Sequence, residues 1–204
     1  MSILLIIFAL VILIFSIILH EVSHGYVADY LGDPTARIAG RLTLNPIKHI
    51  DPLGSIIMPI MTFMLGGFVF GWAKPVPYNP YNIKNRRQGE FLIAIAGPAS
   101  NLLIAIIFGT ILRFTFASAG DNFVTILSYI VLINITLAIF NLIPLPPLDG
   151  SKLVLPLLPN QYGPLRQTLE RIGPFFTLIA VFILWQFIFP VVPWVFHLFT
   201  GIHP

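Results

Sequence analysis

Five apolar runs separated by short polar loops dominate the chain. The first extends from Ile3 to Leu19 and keeps a helical pattern to Leu31, which predicts a helix over residues 2–31. Gly32-Asp33-Pro34 stops it, as a glycine C-cap followed by proline does. The second run, residues 53–70, is short and broken by Pro59 and Gly66-Gly67. The third and fourth predict helices over 91–116 and 123–143, the latter leading into a proline-rich Leu-Asp-Gly turn at 144–150. The fifth predicts a helical segment over 174–199, interrupted by Pro190 and Pro193. Two loops carry a different pattern. Residues 41–44 alternate like a short strand. In residues 72–78 the prolines at alternate positions exclude a helix and a central strand but allow an edge strand. No repeat is visible, and the 204 residues read as one membrane-embedded unit.

Composition says what surrounds these helices. The chain is 57% hydrophobic and 9% charged, against about 25% charged in soluble domains. That is too little charge to solvate a globule, so the lipid bilayer must be the outer solvent. The predicted fold class is an all-α polytopic membrane protein. It has about four full transmembrane helices, one short re-entrant or broken segment, and small β-strand elements in the loops. The N-terminal run has no positive n-region and no cleavage site, so it reads as a retained transmembrane helix. There is no cysteine, which excludes disulfides, iron–sulfur clusters and thiolate chemistry. Eleven basic residues are spread through the loops for a net charge of +3. That pattern orients a membrane protein and does not suit a nucleic-acid surface.

The chemistry begins at His20-Glu21-Val22-Ser23-His24, an HExxH motif. On a helix, positions i and i+4 share one face, so both imidazoles can bind one metal ion. Glu21 can then take a proton from a water activated there. Zinc suits histidine ligands and lowers the pKa of bound water to about 7. Ionisable residues at the end of an apolar segment are costly and mark function. A catalytic zinc takes three protein ligands. The candidates for the third are Asp149, His49, Asp51, Glu90, Asp121, Glu170, His197 and His203. Asp149 stands out, because it follows an apolar helix broken by Pro144, Pro146 and Pro147. Freed backbone at membrane depth is tolerated where it is buried or lines a cavity.

HExxH on an early membrane helix and Asn141-Leu142-Ile143-Pro144-Leu145-Pro146-Pro147-Leu148-Asp149-Gly150 near the end of a later one resemble the site-2 protease family of intramembrane zinc metalloproteases, peptidase family M50. Asn45 to Gly54, Gly71 to Pro77 and Ala96-Gly97-Pro98-Ala99-Ser100-Asn101 are similar to its small bacterial branch without a PDZ domain. The resemblance implies His20, His24 and Asp149 as ligands of one zinc ion and Glu21 as catalytic base. It implies that Asn141 assists at the substrate carbonyl. Its substrates are membrane proteins with a transmembrane helix. The alternative is a membrane metal-binding protein or metal transporter, against which Glu21 stands.

Several polar residues have plainer readings. Asn134 shares a helix face with Asn141 and reads as an interhelical hydrogen bond. Asn101 reads as a close-packing residue that satisfies backbone freed by Pro98. His49 can line the site or sense pH, although a local turn role suits its surroundings better. Topology follows from the motifs. For His20 and Asp149 to share a metal, segments one and four must run the same way. Segment 53–70 must therefore enter and return without crossing. That arrangement puts ten of the eleven basic residues on one side, leaving Arg113 on the other. By the positive-inside rule the ten face the cytoplasm, so the site opens toward the cytoplasmic side of a bacterial inner membrane.

Overall fold

The computed structural model describes residues 3–66, 71–154, 157, 179–180, 183–184, 186 and 188–202. Helix α1, Ile3–Tyr30, has 28 residues. At 1.5 Å per residue it is about 42 Å long, more than a hydrocarbon core needs. Its buried positions begin only at Ser16 and include His20 and His24. The N-terminal half is left to lipid, and the polar half turns inward. After a four-residue helix α2, Thr35–Ile38, the chain reaches the second apolar run. Asp51 caps it, its Oδ1 accepting from the N–H groups of Leu53 and Gly54 at 2.9 Å each. A π-type turn over Pro52–Ile57 leads into α3, Met58–Gly66.

The two ends of this excursion meet. Trp72 N–H donates to Gly54 O at 3.0 Å, and Ser55 Oγ donates to Trp72 O at 2.9 Å. Gly54 is required there, because a β-carbon would overlap the Trp72 indole.

Helix α4, Arg86–Thr115, and helix α5, Asp121–Asn141, are the other two membrane-length helices. The end of α4 falls within one residue of the apolar run, but its start does not. It starts five residues before the expected 91, because Asn85 Oδ1 accepts from Gln88 N–H and caps a polar first turn. Ala105 and Leu112 of α4 pack with Leu127, Val131 and Ile135 of α5 and with Val192 and Phe196 of the last helix, α7, Val191–Thr200.

Contacts between named pairs set the helix directions. Ser16 and His20 of α1 meet Asn101 of α4, while His24 meets Ile93, so α1 and α4 are antiparallel. Ser16 meets Asn134, and His20 meets Asp149 beyond the end of α5, so α1 and α5 run the same way.

Two expectations need correction. Among the described residues three helices, not four, are long and apolar enough to span. The fifth run is broken at Pro190, and α7 has only ten residues, about 15 Å at 1.5 Å per residue. Much of the remaining 174–190 stretch lies outside the described residues. The loop strands are also absent among the described residues. Residues 72–78 have neither helix nor ladder. Their N–H groups go to scattered acceptors instead: Lys74 to His49 O at 2.9 Å and Val76 to Glu21 Oε2 at 3.0 Å. The Arg41 guanidinium occupies the Lys74 carbonyl at 2.6 Å.

Candidate metal centre

Two elements deliver the ligands. The C-terminal half of α1 carries His20 and His24 one helical turn apart, with their ring centroids 4.7 Å apart and edge to face. Beyond α5, the chain folds back through Ile143 to Leu148 and starts a short helix α6, Asp149–Val154. Gly150 permits the fold, since a β-carbon there would overlap the carbonyls of Leu142 and Ile143. This brings Asp149 Oδ2 to 3.0 Å from His20 Nε2 and 3.1 Å from His24 Nε2. The two Nε2 atoms are themselves 3.1 Å apart. All three side chains are buried. The second carboxylate oxygen, Oδ1, faces Lys152 Nζ at 3.4 Å.

The donor set tests whether a metal fits. His24 Nδ1 lies 2.6 Å from the Ile93 carbonyl, which can only accept, so that nitrogen carries the proton. His20 Nδ1 lies 2.7 Å from Asn101 Oδ1, with the same consequence. With both Nδ1 protons committed to oxygens, Nε2 is the nitrogen that each histidine can offer as a ligand in its neutral form, and both Nε2 atoms converge on the Asp149 carboxylate. A cation among them would replace any Nε2 proton and draw the three donors together. Two imidazoles and one carboxylate, each histidine braced through its other nitrogen, are a ligand set that zinc takes. The structure thus brings together His20, His24 and Asp149 as a group able to hold a metal ion.

Glu21 is half-buried next to His20, and its Oε2 accepts from Val76 N–H at 3.0 Å. The other expected residues stand apart. Asn141 Nδ2 donates along its own helix to Leu137 O at 2.9 Å. His49 is not brought to the cluster. It is buried in the 43–49 turn with Nε2 2.8 Å from Thr43 O, so it braces a loop. His197 is exposed in the last turn of α7. Glu170 and His203 lie outside the described residues.

Sequence reasoning does not place Asn101, Gly97 or Ile93 beside the histidines: Asn101 reads as packing, Gly97 stands only within a family-like motif, and Ile93 carries no signal. A β-carbon on Gly97 would enter the space beside both imidazoles. One signal was present, because Gly97 and Asn101 are four apart and share a helix face.

Among the described residues, an all-helical membrane fold with a buried two-histidine, one-carboxylate cluster and an adjacent glutamate has the features of an intramembrane metalloenzyme. The model of peptidase family M50 matches residues 8–120 and 116–185. The provisionally named zinc metalloprotease YwhC of Bacillus subtilis is 42% identical over 157 residues, covering 72% of this chain and 67% of the relative. Rip2 of Mycolicibacterium smegmatis, named in the same provisional way, is 32% identical over 135 residues, 66% of this chain and 51% of Rip2. Rip2 of Mycobacterium tuberculosis is 28% identical over 191 residues, 90% of this chain and 70% of that protein. The chain thus spans between about half and seven tenths of these relatives' length. No solved structure matches it. The chain belongs to peptidase family M50.

Proposed function

We infer that this chain is an intramembrane zinc metalloprotease that hydrolyses peptide bonds in or near the transmembrane segment of membrane proteins. The observation that carries this reading is the convergence of His20 Nε2, His24 Nε2 and Asp149 Oδ2 within about 3 Å of one another, with Glu21 adjoining. These three residues would hold one zinc ion per chain. When bound, it supplies a Lewis acid that polarises a carbonyl and makes water easier to deprotonate. Glu21 takes the proton from water as the oxygen attacks the scissile carbonyl, and returns it to the leaving amine. Asn141 lies at the end of α5 where the chain turns toward Asp149; one of its two Nδ2 protons goes to Leu137 O, and the other is the donor for the substrate carbonyl oxygen.

A substrate helix hides its peptide groups in internal hydrogen bonds, so it must unwind locally before it is cut. Helix-breaking residues near the scissile bond therefore favour cleavage. The meeting of residues 54 and 72 supports a segment that enters the membrane and returns. With it, the distribution of basic residues supports a cytoplasm-facing site in a bacterial inner membrane.

The test is quantitative proteomics of membranes from cells carrying wild type or Glu21→Gln. The reading expects at least one full-length membrane protein to accumulate in the variant and its fragment to vanish. Identical membrane proteomes under conditions where the wild type is expressed would contradict it.

A further inference from the structure

His20 is braced by a chain of amides that crosses all three long helices. Asn101 Oδ1 on α4 lies 2.7 Å from His20 Nδ1. Asn101 Nδ2 donates to Asn134 Oδ1 on α5 at 2.9 Å and to the Ser16 carbonyl on α1 at 3.3 Å. Asn134 Nδ2 donates in turn to the Ile130 carbonyl at 2.9 Å and to Ser16 Oγ at 3.0 Å. Both asparagines are fully buried.

A side-chain amide has one accepting end and one donating end. Two backbone carbonyls decide which end faces where. Ile130 O can only accept, so Asn134 turns Nδ2 toward it and Oδ1 toward Asn101. Ser16 O can only accept, so Asn101 turns Nδ2 toward Ser16 and Asn134, and Oδ1 toward His20. The imidazole then keeps a proton on Nδ1, which leaves Nε2 as the nitrogen able to ligate a metal when the ring is neutral. His24 reaches the same state through one backbone carbonyl, that of Ile93. For His20 the chain buries two amides and a hydroxyl on separate helices, where apolar side chains would serve packing alone. A fully satisfied buried network of this kind fixes one arrangement.

We propose that Asn101 is the positioning residue for the His20 ligand, and that Asn134 and Ser16 act through it by fixing the orientation of its amide. The packing of α5 is thereby coupled to the strength of metal binding. The proposal rests on the reading of His20 as a zinc ligand.

The test uses the full chain purified in detergent, with zinc dissociation constants measured by competition against a chromophoric chelator. Asn101→Leu should weaken zinc binding about 10–100-fold, the usual loss when a ligating histidine loses its outer partner. Its cobalt(II)-loaded form should show an altered visible spectrum, which reports ligand geometry and not activity. Asn101→Asp keeps an acceptor toward His20 but sets its second oxygen against Ser16 O and Asn134 Oδ1, so it should bind zinc more tightly than Asn101→Leu and less tightly than wild type. Asn134→Leu should weaken binding by a smaller factor, and should add nothing in the Asn101→Leu background, because residues acting through one contact are non-additive.

An Asn101→Leu protein with wild-type zinc affinity and cobalt spectrum, alongside a His20→Ala protein that loses zinc, would overturn the positioning role and leave the ligand assignment standing. A His20→Ala protein that keeps full zinc would overturn the ligand assignment, and the positioning role with it. If Asn101→Leu does not fold, Asn134→Leu decides: weakened zinc binding with a shifted cobalt spectrum supports the proposal, and wild-type affinity and spectrum overturn it.

Discussion

Gly97 of α4 lies so close to His20 that a β-carbon at 97 would stand 2.5 Å from its Cε1 and 2.6 Å from its Nε2. It would also overlap His24 Nε2. Neither ring can swing away freely, because each Nδ1–H is tied to an oxygen, on Asn101 or Ile93. The smallest substitution, Gly97→Ala, should therefore displace ligands without removing one. Zinc affinity should fall by about 10–100-fold, the range for a disturbed support of a ligating histidine. Chelator competition measures this. Wild-type affinity in Gly97→Ala would show that the rings yield.

Glu21→Gln keeps the shape of the side chain and removes the base. Cleavage of a membrane-protein substrate should fall by at least ~100-fold, within the range for lost general-base catalysis. Metal content should stay at the wild-type level, because Glu21 lies outside the three-ligand cluster. Parallel assays of cleavage and zinc on one preparation check both statements. Substantial cleavage by the variant would remove Glu21 from the chemistry, and metal flux altered in its place would point to a transporter.

Asp33 ties the end of α1 to the loop that precedes α4. Burial opposes its charge. The hydrogen bonds from Thr35, from Asn79 N–H and from the Asn82 side chain outweigh burial and hold the carboxyl below the ordinary carboxylate range. Its folded value is thus lower than its unfolded value of about 3.9. The group contributes stability above that pH, and the contribution is lost as pH falls toward the folded value. Asp33→Asn should unfold at a lower temperature at pH 7, and its stability should fall less steeply between about pH 5 and pH 3. Thermal unfolding in detergent across that range is the check. Parallel acid limbs in the two proteins would contradict the assignment.

Much of this architecture was legible because lipid and metal impose simple patterns. Apolar runs of membrane length gave α1, α4 and α5 to within a few residues, since a helix is the simplest way to satisfy backbone in lipid. HExxH put His20 and His24 on one face, and the proline break marked the turn that carries Asp149. The sharing of one site by residues 20 and 149 required α1 and α5 to run the same way, as they do. The rest depended on contacts that no local pattern encodes. Asn101 reads as packing until α4 is seen to cross α1 at His20. The 72–78 segment has the composition of an edge strand, yet its amides are claimed by Glu21, His49 and Gly54 before any neighbouring strand. His49 carries the chemistry of a ligand, but the turn that holds it points Nε2 at its own loop. The α4 start moved because a side-chain cap, not hydrophobicity, decides where a helix begins.

The native absence of cysteine permits a direct topology test. Single cysteines at Lys48, Asn82 and Asp121 can be labelled in intact cells with an impermeant maleimide. If residues 54–72 enter and return, positions 48 and 82 share the cytoplasmic side and stay unlabelled, while 121 reacts. Strong labelling at 82 with none at 121 would mean that the second segment crosses.

The central claim is a zinc centre built from His20, His24 and Asp149, and metal content tests it most directly. Zinc per chain, measured by elemental mass spectrometry on purified wild type and alanine variants at 20, 24, 149 and 49, should be about one for a mononuclear catalytic site. It should be lost in His20→Ala, His24→Ala and Asp149→Ala, and kept in His49→Ala, whose imidazole braces a loop away from the cluster. Full zinc in Asp149→Ala together with its loss in His49→Ala would contradict the account.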